Sequence, residues 1–570
     1  MNPITVDREI ALVPYYPNCK TALAWYQDPE LCRQVDNRDT VYDLPLLRKM
    51  YGYLRAHGDL FYIKYRGRLC GDVCLLTDGE IAIVVAKPWQ NLGIGRRVIG
   101  AIVALAREKG YPSCWAKIYD FNTQSQHTFP RAGFVRAPDG LWRLPVVQSG
   151  TTQREKRGKT MNITKIRQIL KDTDFIHTGG SDEELRVAEY LKARCEELGV
   201  PAALESFAVE MADVHSAALT CDGRQIPCKG YKCCGSGTVE APVYYMPNTD
   251  PGSLAGVAGK IVLLDTGVSH FLYQDMVKNG AVGFITYDGN VHYRDRDIDH
   301  KELRQYVSLG KKILGVNINA KDAFALVSGG VKTARITVEQ TEYPGQSRNV
   351  VAQIPGRTEE WIVLSAHYDT TPLSHGAYDN MSGCIGLLNI LEALAKKAPH
   401  RYGLRFVFFG SEERGLLGSK AYVQAHEAEL EQVALNINLD MIGTVMGKFI
   451  ACVSGEEALV SYLRYLSAET GWGLAARQGV YSSDSTPFAD KGVPALSFAR
   501  IAGANQATIH NRYDTMALLS LEQLRRDSAF IAEFTRRMAD AAVCPVKREI
   551  PEAVKKELDI YLNRKRKENG

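Results

Sequence analysis

Four short apolar runs constrain the fold of this 570-residue chain more than any other feature. They span residues 361–366, 405–409, 434–439 and 494–499. Each has the length of a buried strand, and segments with helical periodicity separate them. From residue 347 onward, this alternation predicts an α/β domain built on a mainly parallel sheet.

Acidic and imidazole side chains follow the first three runs. Because ligands bind beyond the carboxyl ends of the strands in an open parallel sheet, we expect these side chains to converge in one crevice. Two further candidates lie in loops. In chain order, the candidates are His367, Asp369, Asp379, Glu412, Glu413, Asp440 and His510. A single residue of this type after a strand is more often a loop or capping residue, so the argument depends on the whole set.

These residue types suit a pair of metal ions. Zinc binds imidazole nitrogen and carboxylate oxygen readily, and two metals about 3.5–4 Å apart need a bridging anion. Asp379 can bridge such a pair. His367 and Asp440 can complete one metal site, and Glu413 and His510 the other.

Two carboxylates remain outside this ligand set. Asp369 can hold an imidazole ligand in position. Glu412 points away from Glu413 if the segment is extended, so Glu412 can accept a proton from the metal-bound water.

The complete order resembles the co-catalytic zinc peptidases, the family of the bacterial leucyl aminopeptidases, aminopeptidase Y and glutamate carboxypeptidase. The matching motifs are His367-x-Asp369, Asp379-Asn380-x-Ser382-Gly383, Glu412-Glu413, Asp440 and His510. The segments 483–488 and 492–495 also resemble that family, although Ser485 stands where a histidine is common. Ile509 stands where some members carry a tyrosine.

The resemblance implies a zinc-dependent exopeptidase, most readily an aminopeptidase that removes N-terminal residues of peptides. Two zinc ions would be bound by the five ligands, and a metal-held hydroxide would attack with Glu412 as general base and Asp369 in support. A carboxypeptidase, a glutaminyl-cyclase-like transferase and a non-enzymatic receptor-like module are the alternatives. His375 is expected at the rim of the cleft, and residues 292–300 are expected to form a solvated loop.

Residues 213–341 differ in composition from the flanking sequence. Strand-like runs at 260–265 and 280–285 resemble the protease-associated domain, which is inserted before the catalytic strands in the same peptidases. The resemblance implies a β-rich insert that walls the cleft. We therefore expect a first part of the peptidase domain at 162–212, the insert at 213–341 and the catalytic part at 342–546. A solvated basic tail would follow at 547–570.

Residues 1–147 form a separate predicted α+β domain, joined by a polar linker at 148–161. Runs at 61–65, 69–76 and 81–86 predict a β-meander, and a strand is expected at 115–119. A glycine-containing turn enters a helix and exposes backbone amides that can bind phosphate. The turn consists of Gln90, Asn91, Leu92, Gly93, Ile94 and Gly95.

This domain resembles the GNAT acetyltransferases. The resemblance implies that the turn at 90–95 and Asn122 bind acetyl-CoA, and that an amine accepts the acetyl group. Phe129 occupies the place where that family often has a tyrosine acid.

The composition indicates which partners and which cellular compartment to expect. The net charge of +4 is small for this length and gives no reason to expect nucleic acid. No apolar stretch reaches the length of a membrane span. Thirteen cysteines without Cys-x-x-Cys pairs suit a reduced cytoplasmic protein.

Overall fold

A computed structural model describes residues 3–109, 111, 113–137, 139–145, 161–265, 267–292, 297–503 and 506–567. The chain divides into two compact units, residues 1–157 and 158–570. The predicted linker at 148–161 lies outside the described residues except for Met161. Of the described helices, none combines the length and apolar composition that a membrane span needs.

The first unit combines two small antiparallel sheets with five helices. Its strands are β1 (Ile4–Thr5), β2 (Ile10–Pro14), β3 (Gly58–Tyr65), β4 (Arg68–Leu76), β5 (Ile81–Val85), β6 (Ser113–Ala116), β7 (Val135–Arg136) and β8 (Trp142–Pro145). Its helices are α1 (Cys19–Trp25), α2 (Pro29–Asp36), α3 (Leu44–His57), α4 (Ile94–Glu108) and α5 (Thr123–Thr128).

The predicted meander is confirmed, since β1 to β5 pair in chain order and β2 to β5 are joined antiparallel. The strand expected at 115–119 is instead β6. Its pairing with β8 ends where Ala116 faces Trp142, so residues 117–119 have no strand partner and form a loop.

The second unit is built on a 14-stranded mixed sheet. Its strands are β9 (Ala202–Cys221), β10 (Arg224–Ile226), β11 (Lys229–Gly230), β12 (Gly237–Met246), β13 (Ile261–Leu264), β14 (Gly283–Asp288), β15 (Leu314–Asn319), β16 (Thr333–Ile354), β17 (Trp361–His367), β18 (Gly403–Phe409), β19 (Val433–Leu439), β20 (Lys448–Ser454), β21 (Ala475–Gln478) and β22 (Ala495–Ile501).

Twelve helices accompany this sheet in the described part of the second unit. They are α6 (Ile163–Asp172), α7 (Asp182–Glu197), α8 (Pro251–Ala255), α9 (His270–Lys278), α10 (Gln305–Ser308), α11 (Ala320–Ser328), α12 (Ser382–Ala395), α13 (Leu417–Ala425), α14 (Glu457–Thr470), α15 (Ser485–Asp490), α16 (Leu521–Ala539) and α17 (Glu552–Tyr561).

The four apolar runs are the central strands β17, β18, β19 and β22. They lie side by side in the order β18-β17-β19-β22, and all three pairings are parallel. Every residue of β18 is buried, and β17 is buried after Trp361, as expected of a parallel sheet covered on both faces. The carboxyl ends of these strands therefore meet at one edge of the sheet.

Two long strands carry the sheet into the predicted insert. β9 pairs with β16 antiparallel along nearly its whole length, and the predicted boundary residues Asp213 and Thr341 face each other in this ladder. The insert then forms its own hydrophobic core around β12 to β15. Insert and catalytic part thus share a continuous sheet and are not joined by a flexible tether.

The segment before β9 forms two helices. α6 ends at Asp172, and α7 begins after Ser181, whose side chain caps it by accepting from the Glu184 amide. The tail that was expected to be solvated is partly buried, because its helix α17 packs Val554 and Leu558 in a core cluster that includes residues of β18.

Candidate active site

The sheet brings the predicted ligands together. His367 is the last residue of β17, and Asp440 directly follows β19. Glu413 lies in the turn after β18, and His510 lies in a loop. Asp379 was expected in a loop but lies in a π-helical turn, Ala377–Met381, that leads into α12. The convergence that the strand ends predict is confirmed by the distances between these side chains.

The five side chains form two groups that share Asp379. In the first group, His367 Nε2 lies 3.2 Å from Asp379 Oδ1 and 3.7 Å from Asp440 Oδ1. In the second, His510 Nε2 lies 3.1 Å from Asp379 Oδ2 and 3.2 Å from Glu413 Oε1. Within each group, one potential ligand atom per residue lies within 4.8 Å of the others. Asp379 thus offers one oxygen to each group.

Attraction between the imidazoles and the carboxylates outweighs burial in setting the pKa values of His367, His510 and Asp379. Burial alone lowers the pKa of His367, but the charge of Glu412 and hydrogen bonds to the surrounding carboxylates outweigh it and place the pKa well above its ordinary value. Burial also lowers the pKa of His510, but Asp379 and Glu413 raise it to about 11. Burial raises the pKa of Asp379, yet the two imidazoles hold it below its ordinary value.

The donor set fits divalent metal ions. The groups offer imidazole nitrogen and carboxylate oxygen, which are zinc ligands. The Oδ1 atom of Asp440 is buried and has no hydrogen-bond partner, although it faces His367 Nε2 at 3.7 Å. Because buried carboxylates are stable only when paired or coordinated, such an atom suits a bound cation.

Asp369 connects two strands of the site. It is fully buried, and its two carboxylate oxygens accept from the amides of Glu412 at 2.8 Å and Glu413 at 3.1 Å. Its Oδ1 also lies 3.5 Å from His367 Nδ1. Asp369 therefore faces a ligand imidazole, as predicted, and in addition it orders the turn that carries Glu413.

The turn after β18 differs from the extended segment that the sequence argument assumed. The Gly415 amide donates to the Glu412 carbonyl at 2.8 Å, so the backbone folds back on itself. Glu412 belongs to neither ligand group. Burial is the main cause that raises the pKa of Glu412 well above its ordinary value, and the charge of Glu413 adds to it, while His367 opposes.

A buried residue that the sequence argument missed holds the shared ligand. Asp514 accepts from the amides of Tyr378 at 2.7 Å and Asp379 at 3.0 Å, and from the Ser374 hydroxyl at 3.3 Å. Its only sequence signal is its position four residues after His510. Asp514 therefore fixes the backbone that presents Asp379.

The insert walls the site. A cavity of about 380 Å³ is lined by Glu413 and His510 on one side and by insert residues on the other. The insert residues include Tyr231, Thr286, Asp299, Arg304 and Tyr306.

The prediction of a solvated loop at 292–300 is wrong for Asp299. Residues 293–296 lie outside the described part of the chain, but Asp299 is 4% exposed and lines the cavity. Burial raises its pKa to about 6. His375 is half-buried, with Nδ1 2.7 Å from Asp174, and its expected place at the rim of the cleft stays a prediction.

The predicted phosphate turn in the first unit precedes α4. Gly93 has a positive φ of 72°, and a Cβ built at this position would meet no atom within 4 Å. Asn122 caps α5, since its Oδ1 accepts from the Ser125 amide at 3.0 Å and its Nδ2 donates to the Gln34 carbonyl at 3.1 Å. Phe129 is buried against Phe134. The acetyl-CoA roles of this turn and of Asn122 stay predictions.

Two family profiles match the sequence. Residues 349–535 match peptidase family M28, and residues 22–134 match the acetyltransferase (GNAT) family. The chain therefore joins a segment that matches the GNAT profile to a segment that matches the M28 profile. The M28 match contains the strand-end ligands and His510, whereas the identity of the insert as a protease-associated domain stays a prediction.

Aminopeptidases are among the relatives of this chain. Aminopeptidase YwaD of Bacillus subtilis (strain 168) is 38% identical over 144 residues, which are 24% of this chain and 31% of that protein. The probable lipoprotein aminopeptidase LpqL of Mycobacterium tuberculosis is 29% identical over 215 residues, 36% of this chain and 41% of that protein. The chain thus spans less than half of the length of either relative.

Solved structures share the fold of the second unit. The zinc aminopeptidase BSAP from Bacillus subtilis superposes with a TM-score of 0.57 and 23% identity, over 69% of this chain and 97% of that chain. An aminopeptidase from Aneurinibacillus sp. strain AM-1 gives a TM-score of 0.57 and 22% identity, over 68% and 96%.

Proposed function

We propose that the second unit is a zinc-dependent aminopeptidase that removes N-terminal residues from peptides. The observation that carries this proposal is the sharing of Asp379 between two ligand groups, with the half-buried Glu412 next to Glu413 in the turn after β18. Two relatives of this chain are named aminopeptidases, and BSAP is described as a zinc aminopeptidase.

Two zinc ions would be held by His367, Asp379 and Asp440 on one side and by Asp379, Glu413 and His510 on the other. When bound, zinc supplies Lewis acidity that polarises the peptide carbonyl and makes water a better nucleophile. A metallopeptidase also needs a base beside its ligands, and Glu412 meets that need.

Glu412 accepts a proton from the attacking water and passes it to the departing amine. The ionised Glu412 carboxylate can take the proton from the water and hold it until the amine departs. Asp369 keeps Glu412 and Glu413 in register through the two amide hydrogen bonds, and the insert wall limits the access of bulk water.

The test is the release of free amino acids from unblocked and N-acetylated peptides by the full chain, with a chelator and after zinc is restored. We expect chelator-sensitive release from unblocked peptides only, and about two zinc atoms per chain by elemental analysis. Release from N-acetylated peptides would indicate a carboxypeptidase. Cyclisation of N-terminal glutamine without hydrolysis would indicate the cyclase alternative.

For the first unit we propose binding of acetyl-CoA at residues 90–95 and transfer of its acetyl group to an amine. The glycine turn at the start of α4 and the GNAT match support this assignment. Calorimetric titration with acetyl-CoA and an acetylation assay with a panel of amines test it. Binding without transfer would indicate that Phe129 leaves the unit without an acid.

We propose the cytoplasm as the site of action. None of the thirteen cysteines, all of which lie in the described part of the chain, is joined in a disulfide, and most are buried. Buried cysteines outside disulfides suit a reducing compartment.

A further inference from the structure

Arg304 brings a positive charge from the insert into the active-site cavity. It lies just before α10 and lines the cavity together with Glu413. Its Nη2 donates to the main-chain carbonyl of Glu413, and its Nη1 lies 3.2 Å from the Tyr306 hydroxyl. The guanidinium is thus fixed one residue from Glu412 by a contact that leaves its charge unneutralised.

A second cation stands beside it. Lys420, on α13, donates to the Gly415 carbonyl at 2.9 Å, and its Nζ lies 5.4 Å from the centre of the Tyr306 ring. Within the described part of the chain, no carboxylate lies within the 4.0 Å ion-pair distance of either Arg304 or Lys420. The charges of Glu302 and Glu412 act on Arg304 only from beyond that distance. Two neighbouring cations without a carboxylate in contact repel each other, and a bound anion reduces that repulsion.

The neighbouring arginine shows the contrast. Arg414 also lies at the cavity, and its Nε and Nη2 bind both oxygens of Glu302 at 2.8 and 2.9 Å. An arginine that holds the insert in place is therefore neutralised, whereas Arg304 is not. A planar guanidinium with free donors recognises carboxylates in preference to neutral groups.

The chemistry of the proposed hydrolysis places a carboxylate here. Glu412 protonates the amine of the leaving residue, and in an amino acid the amine and the carboxylate are attached to the same carbon. A carboxylate of the leaving residue therefore lies within a few bonds of Glu412, on the side where Arg304 is anchored to the next residue. The ammonium of the substrate is repelled from this side and attracted to the acidic ligand groups.

We propose that Arg304, assisted by Lys420, binds a carboxylate of the leaving residue, so that the preferred substrates are dipeptides with a free carboxyl terminus. This inference rests on the proposed peptidase function and specifies its substrate class. A side-chain carboxylate on the leaving residue has the same chemistry, and the test separates the two sources.

The test compares kcat/KM of the zinc-loaded full chain for Leu-Gly, Leu-Gly-amide, Leu-Glu-amide and acetyl-Leu-Gly. We expect Leu-Gly to exceed Leu-Gly-amide by about tenfold to about a hundredfold, the range for a hydrogen bond to a charged group. A comparable advantage for Leu-Glu-amide would assign the site to the side-chain carboxylate. Equal values for the first three substrates would overturn the inference.

Variants locate the preference. Arg304→Gln should bring the ratio of Leu-Gly to Leu-Gly-amide close to one, and Arg304→Lys should retain part of it. If Arg304 had a merely structural role, Arg304→Gln would lower kcat/KM for both substrates equally and leave their ratio intact, which would contradict the inference. Arg335→Gln, which removes an exposed charge from β16 on the insert, should keep the wild-type ratio.

A binding measurement separates this inference from the proposed function. In a Glu412→Gln background, calorimetry compares the affinities for Leu-Gly and Leu-Gly-amide with and without Arg304→Gln. If Leu-Gly binds more tightly than Leu-Gly-amide but the wild type cleaves neither, the proposed peptidase activity is refuted and the carboxylate-binding site at Arg304 is retained. Cleavage of acetyl-Leu-Gly as fast as Leu-Gly would indicate a carboxypeptidase with the same carboxylate site. Equal affinities in all cases would overturn the site itself.

Discussion

Replacement of Asp514 by asparagine tests whether a residue outside the ligand set controls the metal site. Asp514 is fully buried, and its two oxygens accept three hydrogen bonds. Two of these come from the amides of Tyr378 and of the shared ligand Asp379. Asparagine has a single acceptor oxygen, so one of the two amides would face an NH₂ group instead.

The size of the effect follows from these contacts. A buried amide without a partner costs about 1–3 kcal/mol. Loss of a carboxylate that orients a ligand typically lowers metal affinity by about 10- to 100-fold. Burial raises the pKa of Asp514 to about 7, and the nearby charge of Asp379 adds to this rise. Removal of the charge therefore relieves repulsion in the chelated chain, and the loss is concentrated in the zinc-loaded form.

The assay is a zinc titration of the chelated full chain, paired with urea unfolding of the chelated and zinc-loaded forms. We expect Asp514→Asn to weaken zinc binding by about 10- to 100-fold, with a larger stability loss in the zinc-loaded form than in the chelated form. Asp174→Asn is the matched control, because it removes an exposed partner of His375 and should change stability by less than about 1 kcal/mol. Wild-type zinc affinity in Asp514→Asn would refute the reasoning.

Three further predictions concern single residues. Glu412→Gln should lower amino acid release by about 10²- to 10⁴-fold while the zinc content stays at the wild-type level, and a parallel loss of zinc would instead make Glu412 a ligand. Burial raises the pKa of Asp72 to about 7 against an ordinary value of 3.8, so the stability linked to its protonated form is complete below about pH 4 and is lost as the pH rises to about 7. Asp72→Asn should therefore flatten the pH dependence of the unfolding free energy, measured by amide exchange in β3 and β4, by up to about 4 kcal/mol. An unchanged pH profile would contradict the raised pKa. Gly95→Asp should weaken acetyl-CoA binding by about tenfold in calorimetry, because the new carboxylate repels the pyrophosphate. Gly100→Asp on the same helix is the control and should leave the affinity unchanged. Equal effects of the two variants would place the cofactor elsewhere.

The convergence of His367, Glu413 and Asp440 can be predicted from the sequence because these residues lie at or just after the ends of strands. A parallel sheet fixes where its strand ends lie, so the strand pattern alone predicts that His367 and Asp440 meet at one edge. Asp379 and His510 reach the same edge from segments whose course the strand pattern does not predict. The buried strands themselves were visible for the same reason, since a parallel strand covered on both faces reads as a continuous apolar run.

Other parts of the site depend on contacts that no local pattern encodes. Asp514 follows no strand, and its role arises only because the loop of Asp379 folds against it. Glu412 was assigned on the assumption of an extended segment, whereas a turn places it. The pairing of Asp213 with Thr341 joins residues 128 positions apart, and only the completed ladder reveals that the insert continues the catalytic sheet.

The turn after β18 is held from both sides, and this explains how the insert contributes to the site. On the side of the sheet, Asp369 binds the amides of Glu412 and Glu413. On the side of the insert, Arg304 binds the Glu413 carbonyl, and Glu302 binds Arg414, the next residue along.

Backbone hydrogen bonds from Gly415 and Leu416 to the Glu412 carbonyl also hold this turn, and ligand geometry tolerates shifts of only a few tenths of an ångström. If the five side chains bind zinc as proposed, a catalytic part that lacked the insert is expected to lose zinc affinity as well as substrate selection.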